Sequence, residues 1–181
     1  MIAKAWLVVV LFLAMACTLP VQARDIQTWK DVSTAGVVVL MGASLGVPAA
    51  GEDWQGLLQA GLSDASAEGI ALLGKAVVHE ERPNHADDKS FPSGHSTVAF
   101  AAATTLYRRY GWQYGFPAYG VATLVGAARV LADEHHWWDV AAGAAFGIGA
   151  GWLFTRPIDG QVQLTPWIGY RSGGVILSAQ W

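Results

Sequence analysis

The ionisable side chains of this 181-residue chain are concentrated in two short windows. Of its 30 Lys, Arg, Asp, Glu and His residues, 16 lie within 75–95 or 129–139, and these windows contain all five histidines. Because unpaired charge is costly to bury in an apolar protein, such clustering indicates a chemical role. Some of the charges are best explained as solvated loop side chains, namely Glu80, Glu81, Asp87, Asp88 and Lys89.

The first spacing of interest joins Lys75 to Arg82 and Pro83, with six residues between the two cations. Lys75 is expected near the end of a helix, and Pro83 disfavours helix at the residue before it. Two long cationic side chains could therefore converge at one helix end, where a guanidinium offers paired donors suited to phosphate. Taken alone, this spacing is equally typical of cations that extend from an apolar surface to water.

The second motif is the run Pro92, Ser93, Gly94 and His95, which directly precedes an apolar segment. Proline and serine are common at helix starts, and glycine allows the backbone to approach a ligand closely. The free N–H groups of a helix start bind anions, so His95 would face a bound anion. A simple helix cap with an incidental imidazole is the plainer alternative.

The third spacing places His135 four residues before Asp139, with Arg129 upstream. On a helix these two side chains would share a face, so that Asp139 could accept a hydrogen bond from one ring nitrogen of His135. The other ring nitrogen would then be free to act as a nucleophile or base. A purely structural His–Asp pair is the alternative.

Zinc ligation by the histidines is a competing interpretation of these motifs. The candidate ligands are His95, His135, His136 and Asp139, since two histidines and a carboxylate suffice for a zinc ion. However, Lys75, Arg82 and Arg129 accompany them, and cations repel a metal while attracting an anion. Phosphate therefore fits this set better, and a single cysteine, Cys17, excludes a cysteine-built site.

The segments that contain the three motifs are predicted to be helices or to connect helices. Uncharged runs cover 32–51, 90–107, 110–128 and 140–155, and 54–78 is apolar at helical spacing. The sequence therefore predicts an all-α fold, an antiparallel bundle of about five helices. A buried soluble bundle and a membrane-embedded one both fit, and the near-spanning lengths favour the membrane. Alternate crossings then put Arg108, Arg109 and Arg156 on one side and all three motifs on the other.

Both ends of the chain differ from this core. Residues 1–23 have the layout of a secretory signal peptide, with an uncleaved membrane helix as the alternative. The helical domain is expected over 24–157. Residues 158–181 form a tail that is predicted to be a β-hairpin. Polar and apolar residues alternate over 161–165, residues 171–174 are typical of a turn, and residues 175–177 are apolar.

Composition excludes several classes of protein. Hydrophobic residues make up 53% of the chain and charged residues only 14%, which argues against disorder. The 11 basic and 14 acidic residues include no basic block, so a nucleic-acid partner is not expected.

Together, the three motifs resemble the signature of the type-2 phosphatidic acid phosphatase and vanadium-dependent haloperoxidase superfamily. That signature reads K-x6-RP, then PSGH, then SR-x5-H-x3-D, and the order is the same here. One departure is Ala128, which stands where the family usually has serine before the arginine.

The resemblance implies an all-helical core and phosphate-ester hydrolysis through a phosphohistidine, with no metal or other cofactor. It implies that His135 is the nucleophile, Asp139 its orienting partner and His95 the general acid. The implied phosphate cradle consists of Lys75, Arg82, Ser93, Gly94 and Arg129. Three histidines match no position of the signature, namely His79, His85 and His136.

The expected activity is therefore hydrolysis of a phosphomonoester or pyrophosphate, foremost of a lipid, at the periplasmic face of a bacterial inner membrane. The expected partners are a phosphorylated lipid or small phosphate ester and the membrane lipids. A periplasmic acid phosphatase for soluble esters is the first alternative. A vanadate-dependent haloperoxidase and a non-catalytic anion-binding protein are the others.

Overall fold

The computed structural model describes residues 26–158 and the backbone of two further segments, 163–169 and 172–178. The predicted signal peptide over 1–23, with Cys17, lies outside the described residues.

The described residues form five helices, as the sequence predicts. They are α1 (Ile26–Ala50), α2 (Trp54–Val77), α3 (Gly94–Tyr110), α4 (Trp112–Leu131) and α5 (Trp137–Phe154). The uncharged runs underestimate several of these lengths because the helix ends carry the charges. Helix α1, for example, starts six residues before the uncharged run, and a hydrogen bond of 2.9 Å from Gln27 Nε2 to Asp31 Oδ1 lies along its first turns.

Helix α3 is the centre of the bundle and packs against the other four described helices. Its buried face consists mostly of small side chains, and Ala99, Ala101, Ala102 and Ala103 are fully buried. Many larger apolar side chains point outward instead, for example Leu58, Leu72, Leu73, Phe116 and Leu153. Small residues inside and large apolar residues outside are typical of helices that pack closely within lipid.

Helices α3 and α5 run in the same direction and approach each other through a row of glycines. A Cβ on Gly143 would lie 2.7 Å from the Ser93 carbonyl oxygen, and one on Gly151 would lie 2.5 Å from Thr104 Cβ. Between them, a Cβ on Gly147 would overlap the Thr97 carbonyl oxygen. Glycine is needed at this row because any side chain would force the two helices apart.

The end of the bundle away from the motifs is held by a buried ion pair. Arg109 Nε donates to Asp53 Oδ2 at 2.8 Å, and Arg109 Nη1 donates to the Arg156 carbonyl oxygen at 3.0 Å. The Tyr110 hydroxyl also donates to Asp53, at 2.8 Å. Arg109 and the backbone of Arg156 therefore lie at the same end of the bundle, opposite the three motifs.

Among the described helices, α1 is the one that is long and apolar enough to cross a membrane by length and composition. The predicted sequence of alternating crossings therefore stays a prediction.

After α5, the backbone forms two antiparallel strands, β1 (Gln163–Gly169) and β2 (Ser172–Ser178). Gly169 pairs with Ser172 and Gln163 with Ser178. Three of the four residues that were expected to form a turn, 172–174, instead pair with β1, so that expectation is wrong in its boundaries. In the sequence, two residues, 170–171, lie between the strands.

Candidate active site

The three motifs meet at one end of the bundle. Helix α2 ends there, and the loop 78–93 leads from it to the start of α3. Helix α4 also ends there, and the short loop 132–136 leads to α5, while the first third of α1 lies alongside. Two windows that are about 50 residues apart in the sequence thus form one surface.

Arg82 and Arg129 converge on one carboxylate oxygen. Arg82 Nη1 donates to Glu134 Oε2 at 2.7 Å, and Arg129 Nη2 donates to the same atom at 3.1 Å. Arg82 Nε is held by Asp87 Oδ1 at 2.6 Å. Arg129 Nε is buried and has no hydrogen-bond partner among the described residues. A buried donor without a partner is costly, so this arrangement favours an anionic ligand.

Lys75 lies in the last turn of α2, beside this pair. Its Nζ donates to the Lys89 carbonyl oxygen at 2.7 Å, and its charge is close enough to interact with those of Arg82 and Arg129. These three like charges, from α2, the loop 78–93 and α4, lie at one end of the bundle and repel one another unless anions lie between them.

Ser93, Gly94 and His95 form the start of α3, as the sequence predicts. The Ser93 hydroxyl accepts a hydrogen bond from the Ser96 amide at 3.4 Å and caps the helix. The Ser93 amide donates to the Asp139 carbonyl oxygen at 3.1 Å, which ties the start of α3 to that of α5. The half-buried His95 ring has Nε2 3.5 Å from Thr34 Oγ1 of α1.

His135 and Asp139 are adjacent, but not on one helical face. Helix α5 begins at Trp137, so His135 lies in the preceding loop and the predicted helical pairing is wrong. The reason is the helix cap: Asp139 Oδ2 accepts the His136 amide at 2.9 Å, which ends the loop one residue after His135. His135 Nδ1 is nevertheless only 3.7 Å from Asp139 Oδ2.

The His135 imidazole is 2% exposed and neutral. Burial lowers its pKa to about 2, and the nearby charges of Arg129, Lys75 and Arg82 act in the same direction. A neutral ring keeps one nitrogen lone pair, which is what a nucleophile or a base requires.

Four contributors to this site were not singled out from the sequence. They are Lys30, Ser33, Ser90 and Glu134. Ser33 Oγ accepts from Arg129 Nη1 at 3.3 Å, and so supplies a hydroxyl that Ala128 cannot. Ser90 Oγ donates to Asp139 Oδ2 at 2.5 Å. The available signals were a polar start to α1 and one acidic residue directly before His135.

The remaining histidines lie outside the cluster of cations. His79 and His85 are exposed, next to Asp88 and Glu81 respectively. His136 is half-buried and stacks on Trp138 with ring centroids 4.4 Å apart.

A group of potential metal ligands exists in the described residues, although it differs from the set considered above. Ligand atoms of Glu80, His136 and Asp139 all lie within 4.8 Å of one another. Asp139 Oδ2 already accepts hydrogen bonds from Ser90 and the His136 amide, and Glu80 Oε1 accepts from Trp138 Nε1 at 2.6 Å. One oxygen of each carboxylate thus already accepts hydrogen bonds within the protein, whereas Asp139 Oδ1 and His136 Nδ1 are buried and have no hydrogen-bond partner among the described residues.

Two lipid A phosphatases are among the known proteins that this chain resembles in sequence. The chain is 37% identical over 101 residues to the lipid A 1-phosphatase of Porphyromonas gingivalis, covering 54% of this chain and 22% of that protein. It is 37% identical over 82 residues to the lipid A 4'-phosphatase of Helicobacter pylori, covering 45% and 41%. The chain thus spans less than half the length of these relatives.

A solved structure and a protein-family model also match this chain. The crystal structure of Aquifex aeolicus LpxE shares the fold, with a TM-score of 0.61 at 21% identity, over 71% of this chain and 83% of that one. The family model described as the PAP2 superfamily matches residues 70–161, which include all three motifs and just over half of the chain. The chain therefore belongs to the PAP2 superfamily.

Proposed function

We propose that this protein is a metal-independent phosphatase that hydrolyses a phosphomonoester or pyrophosphate through a phosphohistidine on His135. The observation that carries this proposal is the convergence of Arg82 and Arg129 on one anionic oxygen, beside a buried neutral imidazole. Phosphoryl transfer depends mainly on positioning and on charge stabilisation, and this site supplies both.

In the first step, Lys75, Arg82 and Arg129 bind the phosphoryl oxygens, together with the N–H groups at the start of α3. His135 Nδ1 faces Asp139, so the other nitrogen, Nε2, attacks phosphorus. A P–N bond forms as the bond to the leaving oxygen breaks. His95, which becomes protonated when the phosphoryl anion lies beside it, gives its proton to that oxygen, and Asp139 stabilises the positive charge on the His135 ring.

In the second step, water attacks the phosphohistidine. His95, now neutral, takes a proton from the water as its oxygen bonds to phosphorus and the P–N bond breaks. Inorganic phosphate is released, and both histidines return to their starting states. The step needs no metal, because the cations of the site neutralise the charge on the phosphoryl oxygens.

A phosphorylated lipid is the proposed substrate class. The two relatives described above are named as lipid A phosphatases, and a third, from Mycobacterium tuberculosis, as a decaprenylphosphoryl-5-phosphoribose phosphatase. The outward-facing leucines and the apolar helix α1 support a location in the membrane. We place the site at the periplasmic face, where an exported chain would meet such a lipid.

The test is phosphate release from a panel of lipid and soluble phosphates, measured in detergent with a chelator present. Wild-type protein is expected to hydrolyse at least one lipid phosphate, with inhibition by vanadate, a phosphate analogue. His135→Gln should remove turnover, whereas His85→Gln, an exposed histidine of the same type, should retain it.

Two results would contradict the proposal. Loss of activity in chelator would indicate metal-dependent chemistry, and unchanged activity of His135→Gln would exclude a phosphohistidine there. A preference for soluble esters, from protein that stays in solution after membranes are removed without detergent, would instead favour the acid phosphatase alternative.

A further inference from the structure

The carboxylate of Glu134 lies between Arg82 and Arg129, the two arginines of the proposed phosphate cradle. Besides Arg82 and Arg129, it contacts Lys30 Nζ through Oε1 at 2.5 Å and Asn84 Nδ2 through Oε1 at 3.3 Å. Both carboxylate oxygens are thus engaged, by donors from α1, the loop 78–93 and α4. Nothing in the signature of the superfamily requires an acidic residue directly before the histidine.

This carboxylate is ionised and largely shielded from water. Its side chain is only 13% exposed. Burial alone would raise the pKa of Glu134, but Lys30, Arg129 and Arg82 outweigh it, so the pKa lies below its ordinary value. A charged carboxylate held by two guanidinium groups presents its oxygens much as a phosphate does, because both anions match the same planar donors.

We propose that Glu134 is an internal competitor of the phosphoryl group, which occupies the cradle in the free protein and leaves it when substrate binds. The inference rests on the proposed function, since it concerns the same site. A carboxylate carries one negative charge and a phosphomonoester up to two, so the fully ionised phosphoryl group displaces it. A monoanion competes less well, and the released phosphate is expelled more readily when Glu134 returns.

The movement required is small. The Glu134 backbone is fixed at both ends, because its amide donates to the Arg129 carbonyl oxygen at 3.1 Å and its own carbonyl oxygen accepts from Arg82 Nη1 at 3.2 Å. The inferred movement is therefore a rotation of the Glu134 side chain about a backbone that stays in place. Lys30, whose side chain is 34% exposed, can either follow the carboxylate or remain as an additional cation for the substrate.

A merely structural role predicts the opposite effect on anion binding. If Glu134 served only to hold the arginines in position, its neutralisation would loosen them and weaken phosphate binding. If Glu134 competes, its neutralisation removes a rival charge and strengthens phosphate binding. The sign of the change thus separates the two roles.

The experiment measures equilibrium binding of inorganic phosphate and inhibition by vanadate, using the full chain in detergent. Glu134→Gln keeps the size of the side chain but removes its charge, and we expect it to bind phosphate about fivefold or more tightly than wild type. Glu134→Asp, which keeps the charge, should lie between the two. Glu81→Gln makes the same change in net charge at an exposed site and should stay within about twofold of wild type.

Each outcome bears on the inference. Tighter phosphate and vanadate binding by Glu134→Gln, absent in Glu81→Gln, supports it. Weaker or unchanged binding overturns it, and so does an equal gain in Glu81→Gln.

Failure of the proposed function is recognised separately. If wild type hydrolyses phosphate esters but Glu134→Gln binds phosphate no better, the inference fails and the proposed function stands. If no variant hydrolyses any ester but Glu134→Gln still gains phosphate affinity, the function fails and the competition stands.

Discussion

Nδ1 of His135 lies 3.7 Å from Oδ2 of Asp139, just beyond hydrogen-bond distance. That carboxylate oxygen is engaged by Ser90 Oγ and the His136 amide, while the other, Oδ1, is buried without a hydrogen-bond partner among the described residues. His135 Nδ1 also lacks one there. A small rotation of either group would join them, and positive charge on the imidazole would favour that bond.

The first prediction therefore concerns Asp139→Asn. The amide keeps an oxygen for Ser90 and the His136 amide but loses the charge that stabilises a positive His135 ring, so kcat should fall by about two orders of magnitude or more. Initial-rate kinetics on the best substrate of the panel would measure this. Ser90→Ala leaves that charge in place and should cost much less, and an Asp139→Asn enzyme with nearly normal kcat would contradict the assignment.

The second prediction concerns Ser33, the hydroxyl partner of Arg129. Ser33→Ala removes the acceptor for Arg129 Nη1, a net loss of about 1 kcal/mol, so KM should rise about fivefold with little change in kcat. Steady-state kinetics would check this. The matched control is Ser63→Ala, which deletes a fully buried hydroxyl that has no hydrogen-bond partner among the described residues. Equal effects of the two substitutions would argue against a role of Ser33 in the site.

The third prediction tests the glycine row between α3 and α5. Gly147→Ala would press a methyl group onto the Thr97 carbonyl, and the free energy of unfolding should fall by about 1–3 kcal/mol. Gly149→Ala, two residues away, meets no atom within 4 Å and should gain about 0.5–1 kcal/mol from better helix propensity. Thermal unfolding of both variants in the same detergent would measure the difference, and equal melting temperatures would mean that the helices are less closely packed.

The fourth prediction is a pH dependence of stability. The pKa of His135 is lowered to about 2 in the folded protein, against about 6.5 when unfolded. Below pH 6.5 the His135 imidazole therefore binds a proton in the unfolded chain but not in the folded protein. The free energy of unfolding should fall with decreasing pH, by up to about 1.4 kcal/mol per pH unit from this residue.

The comparison that isolates this contribution is His135→Gln. Between pH 6.5 and 4 its stability should depend less steeply on pH than that of wild type, and His85→Gln should show no such flattening. Parallel pH profiles for wild type and His135→Gln would show that the imidazole is protonated in the folded state.

The number and approximate positions of the helices could be predicted from the sequence, because long uncharged runs and apolar residues at helical spacing mark the helices whichever way their side chains point. The three motifs could be placed at one end of the bundle because helix lengths and short loops leave few arrangements. The position of His135 could not, because the start of α5 depends on the competition between a helical turn and the cap that Asp139 provides. Periodicity alone cannot decide that competition.

The contributions of Lys30, Ser33 and Glu134 could not be predicted for a different reason. Lys30 and Ser33 lie about 100 residues from Glu134 and Arg129, the residues they contact, and a single sequence carries no signal for contacts at such separations. Glu134 lies inside a motif, but its charge is opposite to the one the site needs. Only its contacts with three cations show that it belongs there.

The parallel packing of α3 and α5 has an electrostatic consequence. Both helices begin at the site, so the positive ends of two macrodipoles are directed at the same point, and the glycine row brings their axes close enough for both to act on one ligand. Part of the attraction for a dianion thus comes from backbone geometry, which no substitution of an arginine or lysine would remove.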